Sequence, residues 1–430
     1  MRRQSNSNLS RRDMLKSTAA VTAAATFASL GSNFAFAQAS DKIRVGLVGC
    51  GGRGTGAAGD NVLTNENVEL VALGDVFQDR INAAKGTLTQ SLGAKYQVKD
   101  DHCFVGFDAY QKVIASDVDL VILATPPGFR PMHIAAAVDA GKHVFAEKPV
   151  AVDAGGVRSV IESAKKFKEK KLAFVAGAQR RHDVGYNEVI KRIHDGAIGE
   201  LTGGNCYWNQ GGLWMHPRKP EWSDMEWQLR NWLYFTWLSG DHICEQHIHQ
   251  HDVMNWVFGG HPVSAYGMGG RQVRTDPAYG HIFDHFAVEY TYPNGARVLS
   301  FCRQIDGTDA RVSEFVVGTK GKADPAASIK GETTYRFDRK TEAPNALPSP
   351  YQQEHKDLVD SIRKGEPLNE AQQIAESTLT AIMGRMTAYT GKQIEWDQAL
   401  NSQESLMPAK LEMGEIATPA VATPGKTQLT

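Results

Sequence analysis

Two short strings far apart in the chain carry residues able to do chemistry on a hydroxyl group. Ala146-Glu147-Lys148-Pro149 closes a run of alternating strand and helix patterns, and Glu245-x-x-x-His249-x-x-Asp252 lies well downstream. If the second string is helical, steps of four and three residues bring Glu245, His249 and Asp252 onto one face. A lysine at a strand's carboxyl end, set against a carboxylate–imidazole stripe, suits removal of a proton from an alcohol. On this reading Lys148 polarises the oxygen, His249 takes the proton and Glu245 orients and charge-stabilises the imidazole. Asp252 is expected on the substrate side, where it would steady the helix or its loop rather than react. A hydride acceptor beside these groups would make the set an alcohol dehydrogenase.

A place for such an acceptor stands near the start. The apolar run Ile43–Val48 leads into Gly49-x-Gly51-x-x-Gly54, with Gly52 and Arg53 inside the loop, and small residues follow as a helix start. Glycines there allow a tight turn and close approach of backbone to a pyrophosphate at the helix N-terminus. The pattern alone is weak. A second strand pattern, Val68–Leu73, ends at Asp75, about 20 residues past the last glycine, which is where a ribose-binding carboxylate belongs. With no arginine immediately beside Asp75 in sequence, NAD is expected and NADP is disfavoured.

Strand patterns at 43–49, 68–75, 119–124, 143–147 and 172–177 alternate with helical ones, predicting an α/β class with a Rossmann dinucleotide-binding domain over 40–178. Ligands bind beyond the carboxyl ends of such strands. That rule aligns Gly49, Asp75, Thr125, Pro126, Glu147 and Lys148 along one edge. After residue 178 strands dominate, at 201–208, 263–269, 283–292, 296–303 and 313–318, with Asn294-Gly295 as a hairpin turn. An α+β domain over 179–403 follows, with an open, mainly antiparallel sheet. One face would pack on helices at about 351–364 and 370–390, and the other would be free to meet a second subunit. Six of the eight tryptophans fall between Trp208 and Trp237. They read either as an aromatic wall for a sugar or as an insertion packed by burying indoles. Residues 404–430, rich in Ala, Thr and Pro, read as a disordered tail.

The composition is that of an ordinary globular chain, with a net charge of −1 and no basic, aromatic-interleaved stripe of the nucleic-acid-binding kind. No apolar run after the N-terminus could span a bilayer. Ser10-Arg11-Arg12-Asp13-Met14-Leu15-Lys16, a mildly apolar stretch and two Ala-x-Ala sites (Ala35–Ala37, Ala37–Ala39) predict a twin-arginine export signal over 1–39 and a periplasmic destination. That route carries folded proteins and suits a cofactor loaded in the cytoplasm. Five scattered cysteines give no disulfide framework. His247 and His251 lie about 200° from His249 on a helix, so the three cannot share one ion, and no metal is expected.

With these residues assembled, the chain resembles the glucose–fructose oxidoreductase / inositol dehydrogenase (Gfo/Idh/MocA) family over roughly 42–400. The Gly49–Gly54 loop, Thr125-Pro126-Pro127, His133, Gly141–Pro149 and Gly177-x-x-x-Arg181 match its pattern in order. The resemblance implies a nucleotide-binding domain plus an open-sheet domain, and action on sugars or cyclitols through Lys148 and His249. His133 and Glu147 would belong to the cofactor side, and Arg181, Tyr186 and Trp208 to the substrate side. The family usually has Asp where this chain has Glu245, so another substrate is expected. A homo-oligomer (dimer or tetramer) is expected as well. Two activities stay open: NAD-dependent oxidation of a sugar, sugar derivative or cyclitol, and glycoside hydrolysis through transient oxidation, elimination and re-reduction. A non-catalytic binding protein would have no need of Lys148 and His249 together.

Overall fold

The computed structural model describes residues 42–429, so the expected export signal lies outside the described residues. Ile43–Val48 (β1), Val68–Asp75 (β2), Cys103–Val105 (β3), Leu120–Leu123 (β4), His143–Ala146 (β5) and Phe174–Ala176 (β6) form a parallel sheet in the order β3-β2-β1-β4-β5-β6. The continuous apolar runs in β1 and β4 reflect burial on both faces: Val45, Leu47 and all of β4 are fully enclosed. Strand order reverses between β1 and β4, and a ligand crevice opens beyond the carboxyl ends at such a switch point. Strand β3 was not expected, because its three half-exposed residues carry no periodic signal.

Nine further strands make the second sheet, in the order β14-β13-β12-β11-β7-β10-β9-β8-β15. They are Leu201–Gln210 (β7), Ser264–Gly270 (β8), His285–Thr291 (β9), Arg297–Gln304 (β10), Arg311–Gly318 (β11), Gly321–Asp324 (β12), Ser328–Gly331 (β13), Tyr335–Arg336 (β14) and Ile394–Glu395 (β15). The sheet is mixed rather than antiparallel throughout: β7 inserts between β10 and β11 and runs parallel to β10. Val288, Tyr290, Val298 and Val316 point to the helix-covered face and are buried, while Tyr266, Met268 and Leu299 stand exposed on the other.

The helices that matter here are Gly52–Thr64 (α1), Ala154–Lys170 (α2), His242–Glu245 (α3), Ile248–Phe258 (α4), Pro350–Lys364 (α5) and Ala371–Thr390 (α6). Helix α6 is buried nearly all round because it packs on α2 from the first half and on β8 of the second sheet. Helix α5 returns to lie on α1 and β6. The chain from Arg44 onward is one compact unit. Among the described residues no helix is long and apolar enough to cross a membrane.

Two expectations are corrected. The continuous helix expected over 245–252 is broken: α3 ends at Glu245 and α4 starts at Ile248. The physical cause is visible in the backbone, where the Glu245 carbonyl accepts from Lys148 Nζ at 2.5 Å. His247 N–H instead bonds back to the His242 carbonyl. Residues 404–429, expected as a disordered tail, lie along the surface in fixed contacts. Glu404 pairs with Arg385, Leu406 N–H donates to Asp153, and the Gly414 carbonyl accepts from Met225 N–H. Leu406, Met407, Leu411 and Ile416 pack against a cluster containing Phe129 and Trp237. Their apolar anchors are too widely spaced to show in a polar composition.

Candidate active site

The glycine loop is shaped by steric demand. Gly49 holds φ +97°, and a Cβ there would lie 2.6 Å from the Thr125 backbone nitrogen. A Cβ on Gly54 would collide with the Gly49 carbonyl. Gly51 and Gly52, at the start of α1, face open space, so a ligand can meet backbone there. No acidic residue occupies the first turn of α1, which leaves its positive end free for an anion. Asp75 closes β2, its Oδ2 accepting from Cys50 N–H at 2.7 Å and its Oδ1 from Phe77 N–H at 2.9 Å. Burial raises its pKa, and those two N–H groups partly offset the effect. Arg80 also lines the cleft and acts on Asp75 through space. The expectation that no arginine stands near Asp75 held for adjacent positions only, because the turn after β2 brings Arg80 back.

A cleft of about 740 Å³ runs from this loop to the end of β5. Gly49, Gly51, Gly52, Arg53, Gly54, Asp75, Thr125, Pro126, His133, Glu147 and Lys148 all line it, as do Trp208, Glu245 and His249. The glycine cradle, the helix end and Asp75 could hold a dinucleotide's pyrophosphate and ribose. Thr125 Oγ1 contacts His133 Nδ1 at 3.2 Å, and His133 stacks on Tyr110 at 4.1 Å. Burial and then Arg130 press His133 down to about 3, so its ring is neutral.

At the other end Lys148 Nζ reaches Glu245 twice, at the carbonyl and at Oε1, the latter 3.0 Å away. Both side chains are nearly nine-tenths buried. Glu245 therefore steadies the lysine, whereas the sequence reading paired it with His249. The break between α3 and α4 is what rotates it away. His249 stacks on Trp208 with centroids 5.6 Å apart. Its pKa is held well below the ordinary value, first by burial and then by the charges of Lys148, Arg180 and Arg53. The expected charge stabilisation of a protonated His249 by Glu245 is thereby corrected. The imidazole is neutral and able to accept a proton beside a lysine able to polarise an oxygen.

Behind them, Glu147 accepts from Arg53 and from Lys148 N–H, and a Cβ on Gly177 would press on its carboxylate. Arg53 also pairs with the fully buried Glu354 at 3.1 Å and lies under Tyr351. Burial disfavours the Arg53 charge, but these two carboxylates outweigh it and raise its pKa. Its charge is thus engaged by protein.

Three residues expected on the substrate side do not line the cleft. Arg181 and Asp252 form a buried two-pronged ion pair at 2.8 and 2.9 Å, with Ser377 also donating to Asp252. Tyr186 donates to Glu314, which pairs with Arg180. The sequence reading put them on the substrate side, whereas the structure engages each of them with protein behind the cleft wall. The aromatic segment divides: Trp214 and Trp232 join the cleft wall, while Trp227 and Trp237 are buried in an apolar cluster. Arg230 clamps Asp79 at 3.0 Å and covers Phe77, which brings this segment over the Asp75 end. Gln246, Tyr351 and Arg230 were missed by the sequence reading. Only Gln246, beside Glu245, carried a positional hint.

Comparison with known proteins now fits this geometry. Residues 43–175 match the profile described as an oxidoreductase family with an NAD-binding Rossmann fold, and residues 186–324 match the GFO/IDH/MocA C-terminal domain. The chain belongs to the Gfo/Idh/MocA oxidoreductase family. Residues 8–28 match the twin-arginine translocation signal sequence, which marks the chain for that export route. Over 225 residues it is 32% identical to a glycosyl hydrolase family 109 protein of Solibacter usitatus, covering 46% of each chain. Inositol 2-dehydrogenase 3 of Saccharopolyspora erythraea is 27% identical over 256 residues, which cover 60% of this chain and 65% of that one. The chain thus spans about half to two thirds of these relatives. A scyllo-inositol dehydrogenase of Lactobacillus casei, solved with NAD(H) and scyllo-inositol, shares the fold at a TM-score of 0.61 and 19% identity, covering 83% of this chain and 99% of that one.

Proposed function

We propose that the protein is an NAD-dependent oxidoreductase acting on a secondary hydroxyl of a sugar, sugar derivative or cyclitol. The observation that carries this is the meeting of Lys148, Glu245 and neutral His249 in one cleft with the glycine loop. NAD held by the glycine loop and Asp75 would supply the hydride acceptor. Lys148 polarises the hydroxyl oxygen, His249 takes the hydroxyl proton, and the substrate carbon leaves as a carbonyl. Glu245 and Glu147 hold Lys148 in place, and Trp208 offers a ring face for the C–H side of a sugar. Asp75 supports NAD over NADP, since its carboxylate repels a 2′-phosphate. Export through the twin-arginine route supports a periplasmic site of action for the enzyme. The exposed row of Tyr266 (57%), Met268 (67%) and Leu299 (40%) supports a homo-oligomer built on the open face of the second sheet.

Redox-assisted glycoside hydrolysis is the second reading, favoured by the relative named as a glycosyl hydrolase. Here the same hydroxyl oxidation would precede aglycone loss and be reversed after water addition, with no net change in NAD. Incubation of the purified protein with cyclitols, aldoses and aryl glycosides separates them. Stoichiometric NADH from a polyol supports the dehydrogenase. Aglycone release without net NADH overturns it in favour of the hydrolase.

A further inference from the structure

His247 and His251 flank His249 in sequence but face the opposite way, toward the inner face of the second sheet. There β10 and β7 place Ser300 directly beside Cys206, and β11 adds Glu314 as the next residue in the same cross-strand row. His247 Nε2 lies 2.7 Å from Ser300 Oγ and 3.8 Å from Cys206 Sγ, and His251 Nε2 lies 3.0 Å from the same Ser300 Oγ. The Cys206, His247 and His251 donor atoms fall within 4.8 Å of one another, and all three residues and Ser300 are buried.

We propose that Cys206, His247, His251 and Ser300 form a buried site for one zinc-class divalent ion that clamps α4 to the sheet. With Zn–S at about 2.3 Å and Zn–N at about 2.0–2.1 Å, a tetrahedral ion needs a sulfur–nitrogen edge of roughly 3.6 Å. The 3.8 Å between Cys206 and His247 is close to that edge. Two imidazoles and a thiol are a donor set that suits zinc. The histidines recur at i and i+4, the spacing that puts two rings of one helix on a single ion. On binding, the Cys206 thiol loses its proton to solvent and the thiolate ligates the ion. Glu314, shared with Arg180, supplies a nearby carboxylate against the remaining positive charge. The ion would be structural, since every donor faces away from the cleft, and it would fix the helix that presents His249.

The test uses full-length protein purified natively from zinc-supplemented cells, and a second preparation from cobalt-supplemented cells. We expect about one zinc per chain by elemental analysis. The cobalt form should show a thiolate-to-cobalt charge-transfer band and tetrahedral d–d absorption. Cys206→Ser, nearly equal in volume, and His251→Gln should each lower zinc content at least tenfold, and the serine variant should lose the charge-transfer band. Background zinc together with no thiolate band in the unaltered protein overturns the site, and that result needs no variant to fold. Full zinc retention in both variants overturns it equally, because the ion would then sit elsewhere.

Discussion

Glu245→Gln separates the two ways in which this carboxylate could serve the reaction. Glu245 Oε1 is 3.0 Å from Lys148 Nζ, with about a tenth of each side chain exposed. At an effective dielectric near 20 the gross attraction is about 5–6 kcal/mol, before the cost of desolvating both groups. The carbonyl of residue 245 still accepts from Lys148 in the variant, so the lysine keeps its position while losing its counter-charge. Turnover should therefore fall by roughly tenfold, because the ammonium that would polarise the substrate oxygen has lost the carboxylate that steadies it. The acid limb of the kcat profile should stay in place, because the causes that depress His249 are burial, Lys148, Arg180 and Arg53, with no part played by Glu245. The assay is steady-state nicotinamide absorbance across pH, using whichever polyol or sugar is turned over. A shift of the acid limb would refute the reasoning and restore a Glu245–His249 couple.

Lys148→Ala and His249→Ala should each cut turnover by about 10²–10⁴-fold while leaving nucleotide affinity, measured by calorimetry, close to unaltered. Losses below about tenfold in both would mean that other groups carry the proton. Asp75→Ser should weaken NAD binding by roughly tenfold and narrow the gap to NADP, since a hydroxyl replaces a charged acceptor. Tighter binding of NADP than NAD by the unaltered protein would contradict the assigned role. Stability should fall on acidification from about pH 6.5, because buried His133, His249, His251 and His355 all have depressed pKa values. The unfolded chain binds protons there that the folded chain refuses, costing up to about 1.4 kcal/mol per group per pH unit. His182, raised to about 10 by Asp357 and Glu370, works in the opposite sense and loses its contribution on the alkaline side. Thermal melts between about pH 5 and about pH 7 check the acid limb, and a flat or rising midpoint on acidification would contradict it.

The first half of the fold was legible because parallel strands are buried on both faces and advertise themselves as unbroken apolar runs. β1, β2, β4, β5 and β6 fall within a residue or two of the expected spans. The second sheet was legible as a set of strands but not as a topology. Nothing local in Leu201–Gln210 reveals that it inserts between β10 and β11, since that pairing depends on residues far away in sequence. The helix break at 246–247 was hidden for a similar reason. Helical spacing predicts which side chains share a face only while the backbone ladder continues. Here a lysine from the first half takes a carbonyl on which that ladder depends. Arg181 was read as a substrate group from the family pattern, and Asp252 from its helical spacing to His249. Their mutual ion pair shows how charged groups near a site can be spent on holding its frame.

Helix α4 and the turn before it show how one short segment serves several ends by its angular steps. Each residue advances about 100° around the axis, so positions two apart point to opposite sides and positions four apart return to nearly the same side. His247 and His251 accordingly meet the sheet at Ser300, while His249 between them meets Trp208 and the cleft. Asp252, about 60° round the helix from His249, takes Arg181, which follows β6 at the end of the first sheet. The segment is thereby tied to both sheets, and the imidazole that faces the cleft is fixed relative to Lys148 at the end of β5. A proton acceptor must keep hydrogen-bond reach of a substrate oxygen through the reaction, and a misplacement of about 1 Å can cost on the order of 100-fold. Fixing His249 from two sides meets that demand. Under the proposed function, the string His-x-His-x-His anchors with its outer rings and leaves the middle one to take the proton.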